Sequence, residues 1–468
     1  MATSVTAPPV VRNERPPGDA PHVPVAIVGA GACGLTAALM LADQGVESVV
    51  VERDAAPSGS TALSSGFIPA AGTRVQKALG IDDSPAQFAR DIQAKAHDTA
   101  APHLVHAYAQ AIGPALDALE ARHGLQFELL EGFLYPGHSA LRMHAVPERT
   151  GAALMSRLQR AADAAGIAVI AEALVRELWV DERARAAGLG YLRPDGRIER
   201  LCCDAVLLAC NGFGGNRELV RELLPEMADA QFAGHVGNDG SAIAWGRALD
   251  ARLADLGGYQ GHGSWAVPQG VLVSWALMME GAIQVNREGR RFHDETQGYS
   301  EAAVKVLAQP GGIAWDVFDD ALQAFAQQFP DFREAQAAGA VRSGADVDAL
   351  AAMIGCDAAT LRATLGSVRE DATSPEGRCF KRALAPPYHA VKVTGALFHT
   401  QGGLDIDAQC RVLRCDGTAW ANLLAAGGAA RGVSGNAVWG YLSGNGLLSA
   451  VAGGAIAAQT ISQLPEAT

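Results

Sequence analysis

Short apolar runs, each closed by glycine or an acidic residue, alternate along this chain with longer stretches whose apolar positions recur at helical spacing. The runs read as strands buried on both faces and the stretches as helices, the pattern of an α/β protein with a parallel sheet. Residues 25–28 predict a first buried strand, 35–45 a small-residue helix and 48–51 a second strand. Helical spacing follows at 84–122 and 150–165, and strand character at 126–135, 168–170, 173–179, 187–192 and 204–210. A further helix is expected after 237–240, through residue 251. From about residue 256 the texture changes to Gly-rich loops, aromatics and helical segments at 319–370. Strand pattern returns at 390–393 and 395–399, and again at 422–428. The chain therefore reads as a disordered tail (1–22), a discontinuous nucleotide-binding domain (23–255 and 384–468) and an inserted module (256–383) that closes over it.

The first crossover carries the chemistry. The strand at 25–28 runs into Gly29-Ala30-Gly31-Ala32-Cys33-Gly34, and the strand at 48–51 ends on Glu52. This is a G-x-G-x-x-G turn between strand and helix, followed by an acid at the end of the next strand. Gly29 permits the tight turn, Gly31 lets backbone N–H groups approach a pyrophosphate, and Gly34 lets helix and strand pack closely. The helix N-terminus favours phosphate charge, and Glu52 can bind ribose hydroxyls. Three later stretches also expose backbone: the Ser/Gly-rich run 57–69, the loop 211–216 and the strand end 422–428. Two Gly-rich strand ends facing one nucleotide suit a two-part dinucleotide such as FAD.

Composition narrows the partners. The length of 468 residues allows about two or three domains. A net charge of −13 argues against a nucleic-acid partner. The eight cysteines form no C-x-x-C pair, so nothing marks a zinc ribbon, an iron–sulfur cluster or attached haem. They read as buried small hydrophobes in a reducing compartment, and the chain as cytoplasmic. Residues 1–22 lack the apolar core of a signal peptide. No run approaches the roughly 20 apolar residues of a membrane span; 447–458 reads as a buried helix.

Five stretches in this order carry a family likeness: G-A-G-A-C-G at 29–34, G-S-T-A-L-S-S-G at 59–66, N-R-E-G-R-R-F-H-D-E at 286–295, F-H-T-Q-G-G at 398–403 and L-L-A-A-G-G at 423–428. By them the sequence resembles the fumarate reductase/3-ketosteroid Δ1-dehydrogenase superfamily of FAD-dependent oxidoreductases, from Val25 to about Ala458. The resemblance implies a Rossmann-like FAD-binding domain of the glutathione-reductase type with an inserted, mobile α+β capping domain. It also implies a substrate held against the flavin. It carries FAD contacts onto Gly29, Gly31, Cys33, Gly34, Glu52 and Arg53. Further contacts fall on Ser60, Thr61, Ser65 and Gly66, then on Val175, Ala209 and Asp239, and last on Gly427, Asn445, Leu447 and Leu448. Flavinylated members carry a histidine in the loop matching 58–62; none stands here, which implies non-covalent FAD.

Within the superfamily the sequence is closer to the ketone branch. Fumarate reductases clamp a dicarboxylate and deliver a proton with arginines, whose planar fork matches a carboxylate. At the matching positions this chain has Ala321-Leu322-Gln323 after Phe318-Asp319-Asp320, then Tyr299, and Trp439-Gly440-Tyr441-Leu442-Ser443-Gly444-Asn445. Ketosteroid dehydrogenases place a base at the Tyr299 position, and a second tyrosine with a glycine N–H beyond it on the ketone oxygen. Tyr441 and Gly446 resemble that pair, with longer spacing and no prolines. The resemblance thus implies α,β-dehydrogenation of a ketone, with Tyr299 taking the α-proton, Tyr441 and Gly446 holding the carbonyl, and the β-hydrogen leaving as hydride to flavin N5. A cyclic ketone is expected, a cyclohexanone derivative or a 3-ketosteroid. His399 matches a substrate-binding histidine of the fumarate branch and would suit a ketone that also bears a carboxylate. His262 matches a second such histidine more loosely, and Tyr135 is a packing residue or a pocket wall. Arg290 and Arg291 read as surface or interdomain contacts. The run His293-Asp294-Glu295 alternates sides and suggests no metal site. The electron acceptor is open between oxygen, a quinone and an electron carrier. The alternative reading is a fumarate- or enoate-type reductase acting on an activated C=C bond.

Overall fold

A computed structural model of the protein describes residues 8–465. The chain forms two compact units: residues 8–223, 234–259 and 399–465 make the first, and 224–233 with 260–398 the second. The sequence boundaries fell at 255/256 and 383/384; the chain passes between the units at 259/260 and 398/399, inside two long strands, Tyr259–Ala266 and Tyr388–Thr400.

The first unit is built on a nine-stranded sheet. Its centre is parallel: His22–Val28 lies between Ser48–Val51 and Ile198–Leu208, and Ala168–Ile170 flanks Ser48–Val51. Val25, Ala26, Ile27 and Val28 are buried, as a continuous apolar run between covered faces requires. Ile198–Leu208 is long because, besides His22–Val28, it serves two neighbours along its other edge. Its first half pairs antiparallel with Ala186–Leu192, and its last residues pair parallel with Ala419–Ala425. The register aligns Val28 with Val51 and with Leu208, and Leu208 with Ala425. Four parallel strands therefore end at one level, where ligands of open α/β sheets bind. Two helices cross behind that edge. Ala32–Ala42 and Asn445–Ser462 pack so closely that a Cβ on Gly454 would stand 2.5 Å from the Cys33 carbonyl oxygen.

Part of the predicted tail is structured. Val10–Arg12 pairs in parallel with Leu174–Val180 at the sheet edge, where Arg12 reaches the buried Glu177 carboxylate at 3.0 Å. Polar flanks hid so short an edge strand from the sequence pattern; the tail's first seven residues lie outside those described. The strand expected over 126–135 shrinks to Glu128–Leu129, and those expected at 390–393 and 395–399 are one strand.

In the second unit Tyr388–Thr400 is the hub of a seven-stranded sheet with Ile313–Asp319 and Val341–Gly344 antiparallel on it and Gln231–Phe232 parallel. Helices including Tyr299–Leu307, Asp320–Ala326 and Val347–Ile354 belong to this unit, whose core contains Val317, Phe318, Phe332, Leu350, Leu361 and Val391. The protein is thus mixed α/β. Among the described residues no helix is long and apolar enough to cross a membrane. All eight cysteines are free, but Cys33, Cys203 and Cys410 alone are buried; Cys202, Cys210 and Cys356 are half-buried and Cys379 and Cys415 exposed, so the expectation of uniformly buried thiols fails at five.

Candidate active site

The aligned strand ends put the predicted nucleotide residues side by side. Gly29 follows Val28, Glu52 follows Val51, Ala209 follows Leu208, and Gly427 stands just past Ala425. Gly29 has φ +104°, and a Cβ there would lie 2.7 Å from the Ala209 carbonyl oxygen. A Cβ on Gly34 would overlap the Gly29 carbonyl oxygen. The turn can therefore be built only from glycine at these two positions. Gly31 caps the Ala32–Ala42 helix, and a side chain there would meet nothing nearer than the Thr61 hydroxyl at 3.6 Å. Cys33 lines the other side, 3.3 Å from where a Gly427 Cβ would stand.

The polar groups around this edge are arranged in pairs. One Glu52 oxygen accepts from the Ala30 N–H at 2.8 Å and the other from the Asp54 N–H at 2.9 Å, so the carboxylate is fixed and each oxygen keeps a lone pair. Thr61 Oγ1 accepts the first helix N–H, from Ala32, at 3.2 Å. Ser60 Oγ accepts from the side-chain amides of Asn211 and Asn238 at 3.0 and 2.9 Å, leaving its own proton to donate. Ser65 and Gly66 follow in the same loop, and the Gly66 backbone lies against Thr150. Arg53 donates to the Gly237 carbonyl at 2.7 Å. Asp239 is held by buried Arg176, both of whose Nη atoms lie 3.0 Å from one carboxylate oxygen, and by Ser241 on the other. Burial alone would raise this carboxyl, but the Ser241 hydroxyl and the Arg176 charge outweigh it and hold it below the ordinary range. Val175 stands next to Arg176 in the Leu174–Val180 strand. Arg176, with no motif around it, was invisible in the sequence.

The start of the Asn445–Ser462 helix completes this unit's set. Asn445 is fully buried, and its Oδ1 has no partner in the structure, whereas its Nδ2 donates to Ser434 Oγ at 2.9 Å. Leu447 is half-buried and Leu448 fully buried behind it. An orphaned buried acceptor at a helix start and a glycine-cleared strand edge are the features an extended dinucleotide fits, and FAD is the group these residues can hold. Gly34→Ala is accordingly expected to cost about 1–3 kcal/mol of overpacking, weakening FAD retention by roughly one to two powers of ten. Flavin absorbance per protein after gel filtration reads the result; an unchanged ratio in a folded variant would refute the tight-turn argument.

Three of the four catalytic candidates meet in the first unit. His399 and Tyr441 pack edge to face, ring centres 5.5 Å apart at 72°. A Cβ on Gly446 would stand 2.7 Å from His399 Nε2. Gly446 is the second residue of its helix, so its N–H belongs to the first turn, which has no intrahelical acceptor. Burial pushes His399 down to about 4, which makes it a neutral imidazole at physiological pH.

Tyr299, the fourth, opens the Tyr299–Leu307 helix of the second unit. Its ring stacks on His262, centres 5.0 Å apart at 18°. His262 Nδ1 accepts from the Ser264 N–H at 3.0 Å, and burial pushes the ring down to about 3. His262 is therefore neutral and supplies no cation to the phenol. The same unit corrects the reading of Arg291: its side chain is buried and bonded to Glu295, while Arg290 is exposed. His293 bonds the Gln284 side chain, Glu295 bonds the Gln284 N–H and two arginines, and Asp294 turns instead to Thr296. Tyr135 sits in an aromatic cluster of the first unit with Phe67 and Phe133.

Relatives agree with this architecture. The Fumarate reductase (cytochrome) of Shewanella frigidimarina is 28% identical over 437 residues, covering 89% of this chain and 74% of that protein. The 4-oxocyclohex-2-ene-1-carboxylate 5-dehydrogenase of Sinomonas cyclohexanicum is 25% identical over 539 residues, covering 89% of this chain and 90% of that protein. The solved open conformation of a flavocytochrome c3 fumarate reductase matches 95% of this chain and 79% of its own with a TM-score of 0.82 at 25% identity. Residues 24–447 match the family described as FAD binding domain, and the chain belongs to that family as an FAD-dependent oxidoreductase related to the fumarate reductases.

Proposed function

We propose that this oxidoreductase desaturates a cyclic ketone at its α,β-bond. The observation that carries the reading is the convergence of His399, Tyr441 and Gly446: a neutral imidazole, a phenol and a first-turn N–H, all uncharged donors. Such donors suit a ketone oxygen whose negative charge grows as the α-proton leaves. A dicarboxylate calls instead for guanidinium groups, and the stretch 439–445 beside these residues contains no arginine. Tyr441 and Gly446 hold the carbonyl, and Tyr299 takes the α-proton. FAD, when bound, accepts the β-hydrogen with its electron pair. Ketone then becomes enone, and an electron acceptor of undetermined class returns the flavin to its oxidised form. His399 suits a second acceptor on the same molecule, a ring carboxylate, and the named substrate of the Sinomonas relative is an oxo-cyclohexene carboxylate.

An enoate-type reductase is the second reading, and the 28% identity to a fumarate reductase favours it. Anaerobic mixing of the FAD-loaded protein with a panel of cyclic ketones, with and without carboxylates, separates the two. Bleaching of the flavin by ketones and none by succinate is expected. Bleaching by succinate, or reoxidation of the reduced protein by fumarate and by no enone, would establish the reductase.

A further inference from the structure

A continuous run of hydrogen bonds, buried beyond its first link, leads away from His399 within the first unit. The Asn445 Nδ2 donates to Ser434 Oγ at 2.9 Å, the Ser434 hydroxyl donates to Gln401 Oε1 at 2.8 Å, and the Gln401 Nε2 lies 3.1 Å from His399 Nδ1. Gln401, Ser434 and Asn445 are all buried, so no water competes for these groups. They come from three separate stretches of chain and none belongs to the roles assigned above except Asn445. A hydroxyl has one proton. With that proton on Oε1, the amide turns its N–H toward the imidazole, whose Nδ1 must then accept. A neutral imidazole that accepts at Nδ1 carries its proton on Nε2, and Nε2 is the atom that faces Gly446.

We propose that Gln401 is a positioning residue: through Ser434 and Asn445 it fixes the tautomer of His399, so that Nε2–H stands beside Gly446 as a ready donor to a substrate oxygen. The ring needs no reorientation or proton exchange before it binds a carbonyl or carboxylate. The chain also ties the histidine to Asn445, whose free Oδ1 belongs to the FAD edge. Substrate donor and cofactor contact are thereby held by one rigid relay. The competing arrangement is Nδ1–H donating to the Thr400 carbonyl, 3.3 Å away, with the relay reversed. That form would present a bare Nε2 lone pair at Gly446, which repels a carbonyl oxygen.

The identity of the acceptor rests on the ketone reading, but the tautomer does not. The decisive experiment is nitrogen NMR of the FAD-loaded protein labelled at histidine, with His399→Gln assigning the signal. The wild type is expected to show a protonated Nε2 and a bare Nδ1. Gln401→Leu, read in its FAD-loaded fraction, is expected to give a mixture of tautomers and to raise KM for a ketone about tenfold. Gln401→Glu places a carboxylate on Nδ1 and is expected to protonate both nitrogens. A wild-type ring protonated on Nδ1, or a Gln401→Leu ring whose signals do not change, would overturn the proposal. If the tautomer signature holds while no ketone reduces the flavin, the substrate reading fails and the positioning role stands.

Discussion

Tyr299→Phe is expected to end ketone-dependent bleaching of the flavin, slowing reduction by about 10²- to 10⁴-fold, the range of a lost general base. The phenyl ring keeps the stack on His262, so the second unit should fold and melt as before. Every residue proposed for the FAD edge belongs to the first unit, so FAD content should also hold. The proposal asks much of this phenol, whose free pKa is about 10. The helix it opens provides a favourable field. Tyr299 is the first residue of a nine-residue helix, where the aligned peptide dipoles favour an anion. Glu301 bends back toward Gly298 at the same helix end and offsets part of that field. His262, stacked and neutral, adds no charge. Glu301→Gln should therefore make the phenolate easier to form and move the alkaline limb of ketone reduction to lower pH. Turnover retained in Tyr299→Phe would remove the base assignment; loss of FAD along with turnover would make Tyr299 a structural residue.

The sequence disclosed the parts of this protein in which function is written locally. In the first crossover the strand, the turn, the helix and Glu52 lie within one βαβ unit, so each glycine's task follows from its immediate neighbours in the chain. The FAD edge, Tyr299 and the trio His399, Tyr441 and Gly446 were also named from motifs, although the meeting of that trio joins residues more than forty positions apart. What stayed hidden was polar pairing over long separations. Gln401 lies in a glycine-rich strand end that reads as backbone, and its partner Ser434 is 33 positions away. Arg176 meets Asp239 across 63 positions. Arg291 looked like one of several surface arginines in a basic turn, because no local pattern distinguishes a guanidinium that faces solvent from one that faces a buried carboxylate. Val10–Arg12 escapes the pattern for a related reason: an edge strand is defined by its neighbour, here Glu177–Trp179, far along the chain.

Glu295→Gln is expected to destabilise the second unit by about 3–5 kcal/mol, the cost of leaving a buried ion pair half broken. Glu295 is fully buried, pairs with the Arg378 charge at 2.8 Å, and accepts from Arg291 Nε at 3.0 Å and from the Gln284 N–H at 2.9 Å. Glutamine keeps the shape but removes the charge, and leaves Arg378 with the Ala282 and Met278 carbonyls and the Phe380 ring, none of them charged. Arg291 retains Glu376 and is less exposed to the loss. Trp275 reports the event directly, since its indole N–H donates to the Glu295 carbonyl at 3.2 Å, so its fluorescence should follow the lowered denaturant midpoint. The acid dependence has a definite sign. Burial alone would raise this carboxyl, but Arg291 and Arg378 outweigh it and hold it below the ordinary range. The contribution is therefore complete above the unfolded value of about 4.3 and is lost as pH falls through the lower folded value. The part of the gap between wild type and variant that comes from the two arginines should close only below about pH 5; nearer neutral pH the gap also follows Asp316, which the Glu295 charge helps to raise. Asp316 in the same unit runs the other way: burial pushes it up to about 7, so its charged form costs stability as pH rises from its unfolded value toward 7. Asp316→Asn should flatten that slope without touching the acid limb. A Glu295→Gln gap that closes near neutral pH in an Asp316→Asn background would mean that the carboxyl is not held ionised by its two arginines.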